Sequence, residues 1–350
     1  MVAISGCIAI LCILLTALPV LAQDAEAERG QRGAVARDAP SGGGFGGPSS
    51  VGEELKPGDG LTDPQFRSRF IKEGLTPWID FKAGLSENYN LNIGLDYQAL
   101  SQFSTSDLGE GNAAGGIFRA FGSWTPIGHD SGNTGTLTFK VETRHAYTDV
   151  APQDLGFDSG ALSVTGAQFS DIGWALTNLY WTQRLADGEA VLQFGQVDVT
   201  DYIDVYGMIN PLTSFQNLAF LTNPSIAPPS SGLGVVGGVW LSDHLYLTAG
   251  LADANGDPTD PDFELFDDFE TFKHAEIGWV ASRERRYFDK IHLTFWHQDE
   301  RDDAGVPEDH GVAGSVAWFF DNKWMPFLGA GIADGDAALY KATVSAGLGY

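Results

Sequence analysis

The regular alternation of apolar and polar residues is the feature that most constrains how this chain can fold. Leu137, Phe139 and Val141 alternate with polar residues such as Lys140 and Glu142. Successive side chains of a β-strand point to opposite faces, so such a segment has one apolar and one polar side. The same pattern predicts twelve strands, at 88–103, 113–125, 135–148, 170–184, 189–199, 232–242, 244–254, 269–281, 289–299, 310–320, 324–332 and 338–350.

Two kinds of connection separate these strands, and they alternate along the chain. Tight turns at 186–188, 242–244 and 321–323 are interleaved with long acidic loops at 149–169, 200–231 and 255–268. Outer-membrane barrels have short turns at one end and long loops at the other. A soluble β-sandwich would show the same side-chain alternation without this division. The prediction is therefore an all-β fold, an antiparallel transmembrane β-barrel of the outer-membrane porin type.

Tryptophan placement favours the same fold. Indole rings prefer the headgroup region of a membrane, so tryptophans at one end of the strands are typical of an interfacial girdle. The core tryptophans of a soluble sandwich would instead be scattered along the strands. Six tryptophans lie within several residues of a tight turn: Trp124, Trp181, Trp240, Trp279, Trp318 and Trp324.

The first 22 residues predict export from the cytoplasm. Residues 8–21 form an apolar stretch, and Ala22 provides a small residue at the end of a cleavage pattern. A membrane anchor is the alternative, but the segment is short for one and is followed by acidic residues. Both cysteines, Cys7 and Cys12, lie within this signal peptide. The mature chain is therefore expected to have no disulfide and no thiol chemistry.

The predicted organisation is a signal peptide at 1–22, a flexible linker at 23–60 and a porin barrel at 61–350. The linker is rich in Gly, Ser and Pro and lacks the apolar surface needed to order itself. A short N-terminal helix is expected at about 63–72, where an acidic cap and a proline mark its start. Residues 77–84 could add one further edge strand.

Charge and missing motifs exclude several classes of protein. The chain has 46 acidic and 20 basic residues, a net charge of −26, which argues against binding to nucleic acid phosphates. It has no His-Glu-x-x-His, Gly-x-Ser-x-Gly or P-loop motif, so no enzyme activity is predicted. A barrel enzyme with a site assembled from distant strands remains an alternative.

Several blocks of sequence resemble a known family. They are Phe-Gly-Gln-Val-Asp-Val-Thr-Asp-Tyr at 194–202, Asn-Leu-Ala-Phe at 217–220, Ala-Asp-Ala-Asn-Gly-Asp-Pro-Thr at 252–259, Ala-Asp-Gly-Asp-Ala-Ala-Leu at 333–339 and Val-Ser-Ala-Gly-Leu-Gly-Tyr at 344–350. In these blocks, and over most of the chain after about residue 60, the sequence resembles the carbohydrate-selective porin (OprB) family. The resemblance implies a sixteen-stranded barrel in the bacterial outer membrane that passes sugars down their gradient.

The sequence departs from the family pattern in two places. Family members continue past the final block with about four more strands, and they have a Trp-Gly-Gly turn that is missing around 61–66. Two interpretations follow: a sixteen-stranded barrel truncated at its C-terminus, or a twelve-stranded barrel with Tyr350 as the terminal aromatic residue. The first is preferred.

The polar strand faces and the longest loop supply the candidate pore-lining residues. Charged side chains that faced lipid would cost several kcal/mol, so they are expected to face the lumen. Each could instead belong to an ion-pair ladder that only stiffens the barrel. The candidates are Arg119, Lys140, Glu142, Arg144, Tyr202, His274, Glu276, His292, Trp296 and Lys341.

Two of these predictions are more specific. Trp296 lies on the polar face of its strand, where its ring could stack on a pyranose; packing beneath a folded-in loop is the alternative. The 200–231 loop is the longest between strands, and long loops without secondary structure are usually functional. It is expected either to fold into the lumen and narrow it or to form an extracellular flap.

An acidic loop offers one candidate metal site. Asp253, Asn255 and Asp257, with Glu264, have a spacing like that of an EF-hand, but Pro258 stands where that motif requires glycine. The choice is between a loosely bound Ca²⁺ and a solvated acidic loop. No other cofactor is predicted.

Passive diffusion of mono- or small oligosaccharides across the outer membrane is the predicted function. A general or cation-preferring diffusion porin is the main alternative, followed by a barrel enzyme or a soluble glycan-binding β-protein. The expected partners are sugars in transit, outer-membrane lipid and lipopolysaccharide, without nucleic acid. The sequence does not indicate which sugar or which oligomeric state.

Overall fold

The computed structural model shows one antiparallel sheet whose strands follow one another in chain order. The structure describes residues 13–14, 45–56, 69–261, 269–283, 286–320 and 323–350. The strands are β1 (Ile13–Leu14), β2 (Leu91–Phe103), β3 (Asn112–Ile127), β4 (Gly135–Ala146), β5 (Gly173–Leu185), β6 (Ala190–Val197), β7 (Gly232–Trp240), β8 (Leu245–Asp253), β9 (Thr271–Val280), β10 (Lys290–Gln298), β11 (Asp309–Ala317), β12 (Met325–Ala333) and β13 (Ala342–Gly349). The twelve predicted strands are confirmed as β2 to β13, with ends that differ by a few residues.

Side-chain exposure shows which way the strands face. In β10, Ile291, Leu293 and Phe295 are 50%, 41% and 48% exposed, whereas the intervening His292 and Thr294 are buried. A soluble sandwich would bury the apolar side of such a strand. This distribution is instead that of a membrane barrel, with apolar residues facing lipid and polar residues facing inward.

The three longest connections share one end of the sheet and the three predicted tight turns share the other, as predicted. The remaining connections overlap in length, since 281–289, at the end with the tight turns, has nine residues and 104–111 and 334–341, at the other end, have eight each. Because consecutive strands are antiparallel, alternate connections must fall at the same end. The end with the tight turns has 128–134, 186–189, 241–244, 281–289 and 318–324, and the other end has 104–111, 147–172, 198–231, 254–270, 299–308 and 334–341. We refer to these as the turn end and the loop end.

The predicted girdle tryptophans at the turn end face outward, with one exception. Trp279 stacks on Trp318 at 5.9 Å between ring centroids, and Trp324 lies 4.6 Å from Tyr350. Trp240 was predicted to belong to this girdle, but it pairs across strands with the buried Tyr246 and points inward. The prediction for Trp240 was wrong because proximity to a turn does not indicate the face of the strand.

The sheet curls around the connection between β6 and β7, which we call the lumen loop (residues 198–231). Leu212 of this loop packs with Leu100 of β2 in one apolar cluster. Tyr206 of the same loop lies 5.0 Å from Phe327 of β12. One loop can contact strands near both edges of the sheet only if the sheet is strongly curved. Of the two alternatives for this loop, the structure has the one in which it folds inward.

The edges of the sheet are β1 and β13. β1 pairs with β2 over two residues, with Ile13 opposite Ser101. Within the residues that the structure describes, no strand pairing joins β2 to β13.

Within the described ranges, three α-helices accompany the sheet: α1 (Val51–Glu54), α2 (Arg69–Tyr89) and α3 (Pro152–Asp158). Short 3₁₀ segments lie at Ala186–Gly188, Val199–Asp201 and Leu218–Phe220. The predicted helix at 63–72 overlaps the start of α2, while residues 63–68 lie outside the described chain. The edge strand suggested at 77–84 was wrong, because these residues belong to α2. Trp78 and Phe81, three residues apart, share one helix face at 5.8 Å.

The helix α2 ends where Asn90 adopts a left-handed conformation (φ 52°), which lets the chain turn directly into β2. Of the helices in the described ranges, none combines the length and apolar character needed to cross a membrane.

Residues 45–56, which we call the lumen segment, differ from the predicted flexible linker. They contain α1, and both Phe45 and Val51 are buried. The ring of Phe45 lies 5.3 Å from Trp240 and 5.7 Å from Tyr246. The segment lacks the apolar surface to order itself, but the inner wall of the sheet supplies that surface.

Candidate functional site

The interior of the curved sheet contains a cavity between the wall, the lumen loop and the lumen segment. Its volume is about 170 Å³. A cavity of about 150 Å³ accommodates a six-membered ring such as benzene, so this chamber has room for a ring of that size. Its polar lining consists of Ser49, Glu54, Arg119, Lys140, Gln168, Asp198, Thr200, Asp201, Asn210 and Thr222, and its apolar lining of Ala167, Ile209, Pro211, Leu212, Leu218 and Leu221.

Arg119 of β3 is buried on the wall of this chamber. Its Nη1 donates to both carboxylate oxygens of Glu54, at 2.8 and 3.0 Å, and its other nitrogens donate to Asp96 of β2. Such a guanidinium–carboxylate pair fixes both side chains. Burial raises the pKa of Glu54 above its ordinary value, while Arg119 acts in the opposite direction. The lumen segment thus contributes a charge to the chamber.

Three further wall candidates lie together on β4. Lys140 and Glu142 are buried, and Arg144 donates to Glu142 Oε2 at 2.8 and 2.5 Å. Arg144 also donates to Gln168 Oε1, at 3.0 Å. Since Lys140 and Gln168 line the chamber, this row of alternating charges extends from it along the strand.

The lumen loop contributes a pair of carboxylates opposite Lys140. Asp198 accepts hydrogen bonds from the backbone and hydroxyl of Thr200, at 3.0 and 2.6 Å. Asp201 accepts from Ser49 Oγ at 3.2 Å. Burial raises the pKa of Asp201 to about 7, with Asp198 adding to the shift and Lys140 opposing it. The chamber therefore has donors and acceptors on opposite walls.

Glu276 of β9 anchors the lumen loop to the wall beside the chamber. Its Oε1 accepts from Tyr246 Oη at 2.6 Å and from Lys290 Nζ at 2.9 Å. Its Oε2 accepts from Thr294 Oγ1 at 2.6 Å and from the backbone N–H of Asp204 at 2.9 Å. Four donors thus satisfy one buried carboxylate, and one of them belongs to the loop.

His292 and Lys290 of β10 add contacts from the wall to the same loop. His292 Nε2 lies 2.8 Å from Asp204 Oδ1, and Lys290 Nζ donates to the backbone oxygen of Val205 at 2.8 Å. Asp204 Oδ2 in turn accepts from the backbone N–H of Asn223 at 3.1 Å. In this structure Glu276 and His292 therefore hold the loop and do not line the chamber.

Trp296 and Tyr202 were predicted to contact sugar, but both are covered. Trp296 is 3% exposed and its ring lies parallel to Phe272 at 6.2 Å. Tyr202 belongs to the same apolar cluster and is 1% exposed. The alternative of packing beneath the folded-in loop is the arrangement found for Trp296. His274 is also buried on this wall.

Lys341 lies outside the interior, in contrast to its prediction. Its side chain is 65% exposed and its Nζ lies 2.8 Å from Asp336 in the connection before β13. The predicted strand began at 338, four residues before β13, and so included part of an exposed loop. Lys341 therefore does not line the chamber.

The candidate Ca²⁺ ligands are engaged in local contacts. Asp253 Oδ1 accepts from the backbone N–H of Asn255, and Asp257 Oδ1 accepts from that of Thr259, each at 2.8 Å. Asn255 Oδ1 accepts from Arg301 Nε at 2.7 Å. Glu264 lies outside the described residues. Across the described ranges, no group of three or more His, Cys, Asp or Glu side chains could hold a metal ion.

Sequence reasoning did not single out Glu54, Lys290 or Asp201 as site residues. Glu54 lies in a Gly- and Pro-rich stretch that predicts a linker, and Lys290 lies at the start of its strand. Asp201 was noted only within a family block. The Asp-x-x-Asp spacing of 198–201, directly after a strand, was the one local signal available.

Comparisons with known proteins agree with this architecture. The family model described as "Carbohydrate-selective porin, OprB family" matches residues 127–316, which run from the end of β3 to β11 and include Lys140 and the lumen loop. A solved structure, Pseudomonas putida OprB at high pH, superposes with a TM-score of 0.60 at 14% identity, covering 77% of this chain and 73% of that one. A search of curated proteins finds no match. The family model spans more than half of the sequence, and the chain therefore belongs to the carbohydrate-selective porin, OprB family.

Proposed function

We propose that this outer-membrane porin lets sugars diffuse one at a time through the chamber between Arg119, Lys140 and the lumen loop. The observation that carries this proposal is the distribution of side chains on the strands, apolar outside and polar inside. Such an arrangement needs lipid around the sheet and water within it.

The lining of the chamber suits a pyranose. A sugar ring carries hydroxyl groups around its edge and C–H groups on its faces. Ser49, Arg119 and Asp201 supply donors and acceptors for hydroxyls, while Pro211 and Leu212 supply apolar surface for a ring face. Polar groups from opposite walls allow a sugar to exchange hydrogen bonds as it advances, so that binding remains weak enough for release.

Thr222 offers the sharpest test of the chamber. Its buried hydroxyl has no hydrogen-bond partner among the described residues, and its side chain lines the chamber. Thr248 is a matched control, because its hydroxyl is also buried and without a partner there, but it does not line the chamber. Both can be changed to valine with little change of shape.

The experiment measures conductance in planar bilayers while glucose or a short oligosaccharide is added. We expect sugar to block the wild-type current. Thr222→Val should weaken this block about threefold to tenfold, since a neutral hydrogen bond contributes about 0.5–1.5 kcal/mol. Thr248→Val should leave it unchanged. A current indifferent to every sugar would overturn the proposal, and equal effects of both variants would place the sugar elsewhere.

Cation-preferring diffusion is the second candidate function, and a charge imbalance favours it. Glu54, Asp198 and Asp201 face Arg119 and Lys140 in the chamber, and the whole chain carries a net charge of −26. An excess of negative charge along a pore raises the local concentration of cations. A reversal potential that indicates cation preference, together with no sugar block, would support this candidate over the first.

Removal of the signal peptide is part of the proposal. The apolar stretch at 8–21 and the small residue Ala22 support it. N-terminal sequencing of the protein recovered from outer membranes should begin at Gln23. A chain that begins at Met1 would show that the leader is retained.

A further inference from the structure

We propose that the lumen segment is a plug that closes the turn end of the passage and must leave its seat before sugar can pass. This inference rests on the proposed function. It concerns residues 45–56, which contribute Glu54 to the chamber and extend from there toward the turn end.

The first observation is the small size of the cavity beside the segment, on the turn side of the chamber. This cavity lies between Phe45, the lumen loop and the wall and has a volume of about 10 Å³. That is room for about one water molecule and far less than the chamber provides. A sugar that leaves the chamber toward the turn end therefore meets the segment.

The second observation is that the wall has a pocket that fits the first residue of the segment. Phe45 inserts between Trp240 and Tyr246, and Val191 and Val280 complete the apolar pocket. A side chain built on Gly238 of β7 would place its Cβ 2.0 Å from the Phe45 ring. Glycine at this wall position thus makes room for the aromatic ring.

The third observation is a set of polar contacts to the turn end of the wall. Arg286, in the connection between β9 and β10, donates to Glu53 Oε1 at 2.8 Å. Tyr287 of the same connection donates to the backbone oxygen of Gly46. Because the Arg286 side chain is 13% exposed and paired with Glu53, it fixes the segment where the strands turn.

The fourth observation joins the segment to the lumen loop. The backbone N–H of Gly47 donates to the backbone oxygen of Asp201 at 2.6 Å, and Asn210 Nδ2 donates to the oxygen of Pro48 at 3.3 Å. The segment contacts the wall near the turn end, the loop begins and ends at the loop end, and the two elements meet at these contacts. Together they close the passage on the turn side of the chamber.

The segment, and not the loop, is the element able to move. Its only helix, α1, has four residues and no side-chain cap, and an isolated helix of this length is not stable in water. On leaving the lumen, Glu53 and Glu54 would exchange their arginine partners for water.

A reversible crosslink tests whether the segment must move. A Cβ built on Gly47 lies 3.0 Å from Val205 Cβ, whereas the two Cβ atoms of a disulfide lie about 3.5–4.5 Å apart, so a small outward shift of the segment would allow the bond. The double variant Gly47→Cys/Val205→Cys, oxidised in the full-length exported protein, would hold the segment on the loop. Once the crosslink is verified by mass spectrometry, conductance is compared before and after reduction, with each single variant as a control.

We expect the oxidised double variant to conduct about tenfold less than the reduced one, because the crosslink excludes the displaced state. Reduction should restore the current, and the single variants should not respond. Equal conductance with the crosslink complete would overturn the plug. Failure of the proposed function is distinct, since it would appear as wild-type current that no sugar blocks.

Phe45→Ser provides a second measurement that needs no crosslink. A serine side chain cannot fill the apolar pocket between Trp240 and Tyr246, so the segment should leave the lumen more often. We therefore expect a several-fold larger basal conductance than in the wild type. Phe81→Ser is the matched control, because Phe81 is an exposed phenylalanine on α2. The plug proposal would also be contradicted if the Phe45→Ser protein folds, its current is blocked by sugar, and its basal conductance equals that of the wild type.

Discussion

The lumen loop and the lumen segment fill the same interior but are held in different ways. The loop is the direct connection from β6 to β7, so its two ends are fixed by strand pairing. Buried charged groups of the wall, Glu276 and Lys290, then bind its backbone. The segment is held by one aromatic pocket, two arginine–carboxylate pairs and a few hydrogen bonds.

The difference indicates which element belongs to the wall of the passage and which closes it. Removing one partner from a buried charge network leaves an unpaired charge, which is strongly unfavourable. The loop is therefore part of the stable fold. The segment contributes fewer residues, and its acidic side chains can be hydrated once it leaves. The following predictions test this division.

The largest effect is expected at the anchor of the loop. Glu276→Ala leaves Lys290 buried without its carboxylate, so it should destabilise the folded protein by about 3–5 kcal/mol. Heat-modifiable migration on gels measures this as a lower unfolding temperature. Glu308→Ala, at an exposed residue that contacts His297, is the control. If both variants unfold at the same temperature, the loop is not anchored as described.

A smaller loss of stability is expected for substitutions of Trp296, which is covered by the lumen loop. Trp296→Ala removes a buried ring and should cost about 3 kcal/mol, whereas Trp296→Phe should retain most of the packing. Because Trp296 is covered, we expect Trp296→Phe to bind and release sugar like the wild type in the conductance assay. A folded Trp296→Phe channel with a weaker sugar block would restore the stacking role predicted from the sequence.

The contact between the two elements should depend on pH through Asp201. Its pKa is raised to about 7 by burial, so the folded protein binds a proton that the unfolded chain releases near pH 4. Stability should therefore rise as pH falls from about 7 toward 4, by on the order of 1 kcal/mol per pH unit from this group.

Asp201→Asn cannot titrate and should flatten this part of the pH dependence. Unfolding temperatures measured between pH 4.5 and pH 8 provide the comparison, with the wild type gaining stability toward the acidic end relative to the variant. Parallel curves for the two proteins would show that Asp201 is not the group responsible.

The smallest effect is expected outside the interior. Lys341 is exposed and pairs only with Asp336 at the surface, and exposed ion pairs contribute little to stability. Lys341→Ala should therefore change neither the unfolding temperature nor the sugar block. A clear change in the sugar block would indicate that Lys341 lines the passage, which would contradict its position in this structure.

Much of the fold could be predicted because its signals are local. The alternation of Ile291 and Leu293 with His292 and Thr294 gave both the strand and its two faces. Turn lengths indicated which strand ends share a side of the membrane. The errors lie where alternation is ambiguous: residues 77–84 form helix, and Lys341 lies just before its strand.

The candidate site was predicted only in part. Arg119, Lys140, Glu142 and Arg144 could be proposed because a charge on a barrel strand must avoid lipid. That argument shows which face of the strand a charged side chain lies on. It does not show how deep in the barrel the side chain lies or which residues it contacts. It could not show that Glu276 and His292 bind a loop, or that Trp296 is covered by one.

The sequence by itself determined the all-β barrel architecture, because side-chain alternation and turn length act between neighbours in the chain. Only the tertiary structure decided what fills the barrel. Glu54 contacts Arg119, which is 65 residues away in the sequence, and Ser49 contacts Asp201, which is 152 residues away. Contacts of this kind depend on the curvature of the whole sheet, and no local pattern around Glu54 or Ser49 encodes them.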